Sequence, residues 1–393
     1  MASLTRPTPE PKKKRAARVA LILAAAVVLA GAYIFHIRKE MTDFGVCYRG
    51  GQRIVQGETL YREADGHLQF KYAPAAALFF APLTVLPYEA AKAVWYLLEL
   101  AFLAGIFLFS YRMLSAAAKK ATPVLVWTFL IGLKFLAREL ELGQVNLFIL
   151  FLLILTLYSL LREKELTAGL LWGCSLFFKP YALVFLPYFL LKKKFRTLSA
   201  GIAVSVAGLV LPAIFYGFKG TFAVLREWPA TLSKSTSGLL ASYDNASLYG
   251  FLLKAFPALS RQMSGAVFLA IFLLLAVVVL WIVRASRTSP SIKNPEVLES
   301  AFLLILIPLF SPLGWNYNYL YSLLAVMFIL SAWRHLPRAG QIILIINFVV
   351  IGTSLIEVWG KTLFHFYTHH ALVVLNFLIV LIPLIYLRSK NTI

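Results

Sequence analysis

Asp43 is the residue in this sequence best placed to act as a general base. It lies in a polar stretch, residues 38–72, that separates the first apolar run of the chain from the second. A carboxylate at a helix end beside a membrane can take a proton from a hydroxyl group that a lipid carries. The alternative is that Asp43 only caps a short helix over residues 44–55. Four other carboxylates of the stretch compete for the catalytic role, namely Glu40, Glu58, Glu63 and Asp65.

Several cations accompany these carboxylates. Arg49 and Arg53 are four residues apart and would share one helix face, and Lys71 ends the stretch. Arg138 and Lys179 lie further along the chain, each next to an apolar run. Guanidinium and ammonium groups bind phosphate and stabilise it as a leaving group, so we predict phosphate binding by Arg49, Arg53, Arg138 and Lys179. The alternative is contact with lipid headgroups or pairing with neighbouring glutamates.

Amides and histidines provide weaker signals. Gln144 and Asn146 begin an otherwise apolar helix, a position that suits binding of sugar hydroxyls and helix capping equally. His369 and His370 are adjacent in sequence and lie among aromatic residues, which favours an interfacial belt over a metal site. We therefore predict no metal ligands and no cofactor, and leave dependence on a divalent cation open.

The composition requires that lipid surrounds most of the chain. Of 393 residues, 60% are hydrophobic and 14% are charged, and the mean hydropathy is +0.79. Such values lie far outside the range of soluble domains and predict an all-α polytopic membrane protein. The net charge of +21 comes from cations in short loops between apolar runs. That pattern indicates membrane orientation by the positive-inside rule and makes nucleic acid a poor partner.

The order of apolar runs predicts one transmembrane domain, residues 17–388, with about 10–12 transmembrane helices. Residues 1–16 are rich in Pro, Lys and Arg and predict a disordered cytoplasmic tail. The first run, residues 17–35, is interpreted as a spanning helix, with a cleaved signal peptide as the alternative. Residues 38–87 then form a structured first outer loop with interfacial helices, and residues 218–262 form a second outer segment. Both termini are expected in the cytoplasm.

Residues 166–191 predict a re-entrant hairpin. This stretch is apolar, is interrupted by Lys179 and Pro180, and has basic loops at both ends. If both loops are cytoplasmic, the chain must reverse in between, and each half reaches only about 20 Å. Proline breaks a helix, so the reversal is predicted at Lys179. This places Lys179 on the same side of the membrane as Asp43.

These features together resemble a C-type glycosyltransferase, and specifically glycosyltransferase family 87, the polyprenyl-phosphate-mannose-dependent α-1,2-mannosyltransferases. The resemblance is carried by short motifs that occur in the family's order: Asp43, Tyr48, GETLY at 57–61, FKYAP at 70–74, GQVN at 143–146, GLLWG at 169–173, Lys179 with Pro180, and NASL at 245–248. Residues 311–319 read SPLGWNYNY and lack the histidines common in the family, which leaves the sugar and the acceptor open.

The resemblance implies an inverting transfer of a hexose from a polyprenyl-phosphate sugar, with mannose as one candidate. Asp43 would be the general base, acting on the extracytoplasmic side of a bacterial inner membrane. The sugar or the acceptor, a lipid or a glycan, would then contact a set of polar side chains: Gln144, Asn146, Tyr72, Asn245, Asn316 and Asn318. Two rival hypotheses are a transporter or flippase of a lipid-linked sugar, with a broken helix at Lys179 as its substrate site, and an inactive relative that only binds such lipids.

Overall fold

A computed structural model describes residues 12–114, 123–284 and 294–389 of the chain. Helices dominate these residues, and within them the structure has no β-strand, only an isolated bridge between Asn245 and Trp315. The predicted all-α polytopic membrane protein is therefore confirmed. Of the predicted tail, residues 1–11 lie outside the described ranges, and the first helix begins at Lys12.

The longer helices follow the apolar runs closely. In chain order they are α1 Lys12–Ala32, α2 Thr42–Val55, α3 Pro74–Phe80, α4 Tyr88–Met113, α5 Pro123–Leu142, α6 Asn146–Leu160, α7 Glu165–Ser175, α8 Phe185–Leu191, α9 Phe195–Val210, α10 Ala213–Ser237, α11 Leu248–Ala255, α12 Arg261–Arg284, α13 Pro295–Phe310, α14 Leu323–Ser331, α15 Arg338–Thr353, α16 Ile356–His369 and α17 Val373–Ser389. Short 3₁₀ turns precede α8 and α14, at Pro180–Val184 and Asn316–Ser322.

Two helices in the described ranges, α4 and α12, are long and apolar enough to cross a membrane on their own. Two further pairs pass the same test together but are bent, α9 with α10 by 92° and α15 with α16 by 100°. Length and composition thus identify two to four spans, fewer than the predicted 10–12. Other apolar helices are shorter, at 10–17 residues, and include α6 and α17.

The predicted reversal at Lys179 is present. Helix α7 ends at Ser175, and the chain turns through residues 176–184 into α8. The Lys194 ammonium, just before α9, binds the Glu165 carboxylate at the start of α7 at 3.0 Å. The chain has therefore returned to the end from which it began. Lys179 lies at the opposite end, in an extended conformation that suits a residue before proline.

Helices α7 and α9 stand close together because their contact residues are small. A Cβ atom on Gly169 would lie 2.3 Å from the Thr197 carbonyl oxygen, and one on Gly173 would lie 2.7 Å from that of Gly201. Only glycine allows backbones to approach to such distances. This packing fixes the hairpin against α9 and so fixes the position of Lys179.

The open end of the hairpin is held by a buried carboxylate. Glu299 on α13 is 1% exposed. It accepts hydrogen bonds from Lys192 at 2.9 Å, Arg388 at 3.1 Å and Tyr188 at 3.1 Å. Because Arg388 lies near the end of α17, the last described helix terminates at the same end of the molecule as the basic loops of the hairpin.

Candidate active site

Asp43 is the second residue of α2, and its side chain is half-buried. The Gln144 carboxamide nitrogen donates a hydrogen bond of 2.5 Å to Asp43 Oδ2. Gly143, with a positive φ of 65°, makes this approach possible. A Cβ atom at that position would lie 2.7 Å from the Phe44 Cβ. The turn between α5 and α6 therefore reaches the start of α2 only because residue 143 is glycine.

Gln144 connects Asp43 to Lys179. Its oxygen accepts a hydrogen bond from the Lys179 ammonium at 3.4 Å, and its nitrogen also donates to the Tyr317 hydroxyl at 3.3 Å. The side chain is nearly buried, with 6% exposure. The Asp43 carboxylate and the Lys179 ammonium are thus hydrogen-bonded to the nitrogen and the oxygen of the same Gln144 amide. This places the predicted base and the predicted phosphate ligand beside one another.

Lys179 is oriented by a second amide. Its ammonium donates a 2.8 Å hydrogen bond to Asn146 Oδ1. The Asn146 nitrogen donates in turn to Glu139 Oε2 at 2.9 Å, and the other Glu139 oxygen accepts from the Leu147 backbone at 3.0 Å. Glu139 is buried, and it satisfies the first turn of α6. The side chain that binds the first turn of α6 is thus Glu139 and not Asn146, and sugar binding by Asn146 stays a prediction.

The rival carboxylates of the first outer loop are mostly engaged by cations. Glu58 binds Arg62 at 2.5 Å and Glu63 binds Lys234 at 2.7 Å. Asp65 forms two hydrogen bonds with Arg53, of 2.5 and 2.9 Å, and that guanidinium lowers the pKa of Asp65.

Glu40 is exposed at a helix end. Asp43 differs from all four, because its recorded hydrogen-bond partner is the neutral Gln144 amide. Within the described residues Asp43 forms no ion pair, so its carboxylate can still accept a proton from a substrate.

Two of the predicted phosphate ligands are already paired with carboxylates. Arg53 is committed to Asp65, and Arg138 binds Glu141 at 2.6 Å with 52% of its side chain exposed. No hydrogen-bond partner is recorded for the side chain of Arg49 or Lys71 within the described ranges. Burial lowers the pKa of Lys71, and the Asp43 carboxylate partly opposes that shift.

The late stretch of the chain forms another wall of the site. Asn318 is fully buried and donates a 3.3 Å hydrogen bond to the Tyr181 hydroxyl. The Tyr321 hydroxyl donates to Asn146 Oδ1 at 3.4 Å. Burial raises the pKa of the Tyr72 hydroxyl, with Cys47 and Asp43 adding smaller effects.

Asn245 and Asn316 differ from these residues. The Asn245 nitrogen donates to the carbonyls of Leu240 and Pro312 at 2.8 and 3.0 Å. Its oxygen accepts from the backbone of Ser247 and Gly314 at 3.1 and 2.9 Å. The structure therefore uses Asn245 to hold the second outer segment against residues 311–315. Asn316 is half-buried, without a recorded hydrogen bond of its side chain in the described part of the chain.

Sequence reasoning missed Tyr181 and Tyr317. Tyr181 follows Pro180 directly, and Tyr317 lies between the two predicted asparagines, so both stood within motifs already singled out. Their hydroxyls were not separable from those of interfacial tyrosines by sequence alone. Among the residues that the structure describes, no group of three or more His, Cys, Asp or Glu could hold a metal ion.

Comparison with known proteins adds a family and distant relatives. The profile of glycosyltransferase family 87 matches residues 70–312, more than half of the chain, a range that contains Gln144 and Lys179 but begins after Asp43. A polyprenol-phosphate-mannose-dependent alpha-(1-2)-phosphatidylinositol pentamannoside mannosyltransferase of Mycobacterium tuberculosis is 26% identical over 176 residues, which is 43% of this chain and 40% of that protein. A protein of the same name from Mycolicibacterium smegmatis is 28% identical over 214 residues, 52% of this chain and 51% of the relative.

An alpha-(1->3)-arabinofuranosyltransferase of Corynebacterium glutamicum is 25% identical over 283 residues, 69% of this chain and 64% of that enzyme. The chain thus spans less than two thirds of the length of each of these relatives. No solved structure matches it.

Proposed function

We propose that this chain, which belongs to glycosyltransferase family 87, transfers a hexose from a polyprenyl-phosphate sugar to a lipid or glycan acceptor. Two of its relatives are named for polyprenol-phosphate-mannose, which makes mannose one candidate sugar. A third is named for arabinofuranose, so family membership alone does not specify the sugar. The observation that carries the proposal is the bridge of Gln144 between Asp43 and Lys179.

In the proposed reaction, Asp43 takes the proton of an acceptor hydroxyl. The acceptor oxygen forms a bond to the anomeric carbon of the sugar while the bond from that carbon to the phosphate oxygen breaks. The electron pair of the broken bond leaves with the polyprenyl phosphate. Because the displacement is direct, the configuration at the anomeric carbon inverts. The hydrogen bond from Gln144 orients the carboxylate for this step.

Lys179 offsets the negative charge that the departing phosphate gains. Its ammonium is held by two neutral amide oxygens, at 2.8 and 3.4 Å, and no carboxylate pairs with it directly in the described structure. A cation oriented by neutral partners keeps its charge available to a substrate. Lys71 is proposed to assist, since the Asp43 carboxylate opposes the lowering of its pKa by burial and its ammonium has no recorded partner in the described structure.

We place the site on the extracytoplasmic side of an inner membrane, within a single transmembrane domain at residues 17–388. Support comes from the hairpin, because its basic loops lie at the end opposite to Lys179 and basic loops favour the cytoplasm. A cysteine at Lys234, in the exposed outer segment, should react with a membrane-impermeant maleimide added to intact cells. A cysteine at Lys193 should not, and the reverse labelling would contradict this orientation.

The function is tested with the purified chain in proteoliposomes. Polyprenyl-phosphate [¹⁴C]mannose and the corresponding glucose donor are supplied with octyl mannoside as a synthetic acceptor. The expected result is a labelled disaccharide whose anomeric configuration, read by NMR, is inverted relative to the donor. Movement of labelled lipid between leaflets without a new glycosidic bond would instead establish the flippase. Binding with neither outcome would leave a lipid-glycan-binding protein.

A further inference from the structure

A buried amide oxygen in the candidate site lacks a partner. Asn318 is 0% exposed, and its Oδ1 has no hydrogen bond in the described structure. Its nitrogen does have one, to the Tyr181 hydroxyl at 3.3 Å, so the amide is held in place. Buried polar atoms are nearly always paired, and an exception calls for a ligand. The Asn318 oxygen is thus an oriented acceptor with nothing to accept from.

The Tyr181 hydroxyl has room for one further hydrogen bond, in which it would be the donor. Its oxygen accepts from Asn318, and the Ser311 hydroxyl lies 3.4 Å away. Ser311 carries one proton, and the Leu313 carbonyl at 3.0 Å is the nearer acceptor for it. Apart from the Ser311 oxygen at 3.4 Å, no acceptor for the Tyr181 proton is found among the described residues. A ligand hydroxyl at a shorter distance would be a better acceptor for that proton.

These two groups lie on the Lys179 side of the site. The Lys179 ammonium stands 5.5 Å from the centre of the Tyr181 ring. The edge of that ring meets Tyr321 at 5.9 Å, and the Tyr321 hydroxyl binds Asn146 Oδ1, the same oxygen that Lys179 binds. A molecule whose phosphate is held by Lys179 has its sugar on one side of that phosphate and its polyprenyl chain on the other. Only the sugar carries hydroxyl groups that could pair with Tyr181 and Asn318.

We propose that Tyr181 and Asn318 bind one hydroxyl group of the donor sugar. That hydroxyl accepts a hydrogen bond from Tyr181 and donates one to Asn318 Oδ1. A hydroxyl group is both donor and acceptor, so it satisfies both groups at once. The pair then determines which sugars the enzyme uses, because a site built to bind a hydroxyl rejects an analogue without it. This inference rests on the proposed function and specifies its donor subsite.

The test combines one substitution with a series of deoxy donors. Polyprenyl-phosphate mannose and its 2-, 3-, 4- and 6-deoxy forms are assayed with the wild-type chain and with Tyr181→Phe. Removal of the recognised hydroxyl should lower wild-type kcat/KM by roughly 5- to 150-fold, the effect of leaving a buried polar group unpaired. Tyr181→Phe should lose a similar factor with the complete donor. With the deoxy donor that the wild type uses poorly, the kcat/KM of Tyr181→Phe should be at most about threefold lower than that of the wild type.

Two further variants complete the design. Asn318→Leu removes the other half of the subsite, keeps the same number of side-chain heavy atoms and the same branching, and should show the same loss of discrimination, even if Tyr181→Phe folds poorly. Tyr319→Phe is the matched control, because it also removes a buried tyrosine hydroxyl. That hydroxyl donates to the Ala246 carbonyl at 2.8 Å, and its recorded hydrogen bond involves neither Tyr181 nor Asn318. It should discriminate among the deoxy donors as the wild type does.

Three results would overturn the inference while the proposed function stands. The wild type could transfer every deoxy donor equally well. Tyr181→Phe and Asn318→Leu could keep the full wild-type discrimination. The loss of kcat/KM could follow removal of a hydroxyl from the acceptor instead of the donor, which would assign Tyr181 and Asn318 to acceptor binding. If the wild type transfers no sugar from any polyprenyl-phosphate donor, the proposed function fails and the subsite fails with it.

Discussion

Replacing Lys179 with methionine should slow the transfer step far more than it destabilises the protein. Methionine has a similar length and no charge, so it can occupy the same space in the turn after α7. The substitution removes the hydrogen bonds of 2.8 and 3.4 Å to Asn146 and Gln144. It also removes the cation that we propose stabilises the departing phosphate.

The size of the effect follows from the surroundings of the ammonium. Two unit charges about 4 Å apart interact by about 4 kcal/mol at the effective dielectric of a partly buried site. Part of that interaction exists already in the bound donor, so about 3–4 kcal/mol remains as transition-state stabilisation. At 1.36 kcal/mol per factor of ten, kcat should fall about 10²- to 10³-fold. Loss of the Asn146 contact should cost about 1–2 kcal/mol of unfolding free energy.

The assay measures the initial rate of transfer from labelled polyprenyl-phosphate mannose at saturating donor, with thermal unfolding of the same preparation. Lys234→Met is the matched control, because it also removes an outer ammonium but one whose ion pair with Glu63 is exposed at 75% and 77%. Its kcat should stay within about twofold of the wild type. A Lys179→Met enzyme with kcat within threefold of the wild type would refute the role given to this ammonium.

Three other substitutions test the supports of the site. Gln144→Leu should lower kcat by roughly 10- to 100-fold with little change in donor KM, because Asp43 is no longer oriented. Gly169→Ala should lower the unfolding temperature, since its Cβ would lie 2.3 Å from a backbone oxygen of α9, whereas Gly265→Ala meets nothing within 4 Å and should not. Asp65→Asn should lower unfolding free energy by about 1–3 kcal/mol at neutral pH by breaking the charged pair with Arg53. Because Arg53 lowers the pKa of Asp65, the wild type should lose this contribution as pH falls below the ordinary carboxyl value of 3.8, and the variant should not.

Each of these expectations has a contrary result. An unchanged kcat in Gln144→Leu would mean that the amide bridge is not used in catalysis. Equal unfolding temperatures for Gly169→Ala and Gly265→Ala would mean that α7 and α9 can separate without cost. If Asp65→Asn lost as much unfolding free energy at acid pH as the wild type does, the ion pair of Asp65 with Arg53 would not be the cause of that loss.

Much of the fold could be predicted because lipid imposes simple rules. Apolar runs and basic loops indicated a helical membrane protein, and the first predicted run, residues 17–35, overlaps helix α1, Lys12–Ala32. The hairpin followed from two basic ends and a central proline, and the ion pair of Lys194 with Glu165 shows the same reversal. The bends after α9 and α15 were not predicted, although Pro212 lies at the first and the sequence GTS at 352–354 lies at the second.

The site was predictable only in part, since it depends on residues distant in sequence. Asp43 and Gln144 are 101 positions apart, and no local pattern indicates that they form a hydrogen bond. Arg53 resembled a phosphate ligand by its spacing, but the chain folds Asp65 onto it. Asn245 lay in a recognisable motif, yet backbone groups occupy all of its hydrogen-bonding capacity. Which polar groups remain free is a property of the folded chain.

The central claim, that Asp43 is the general base, is tested most directly by Asp43→Asn. Asparagine keeps the shape of the side chain and an oxygen that can accept from Gln144, so the local structure should persist. The measurement is a paired one, equilibrium binding of labelled polyprenyl-phosphate mannose and single-turnover transfer from it. We predict donor affinity within about threefold of the wild type and a transfer rate lower by at least about 10²-fold. An Asp43→Asn enzyme that transfers sugar at the wild-type rate would contradict the account.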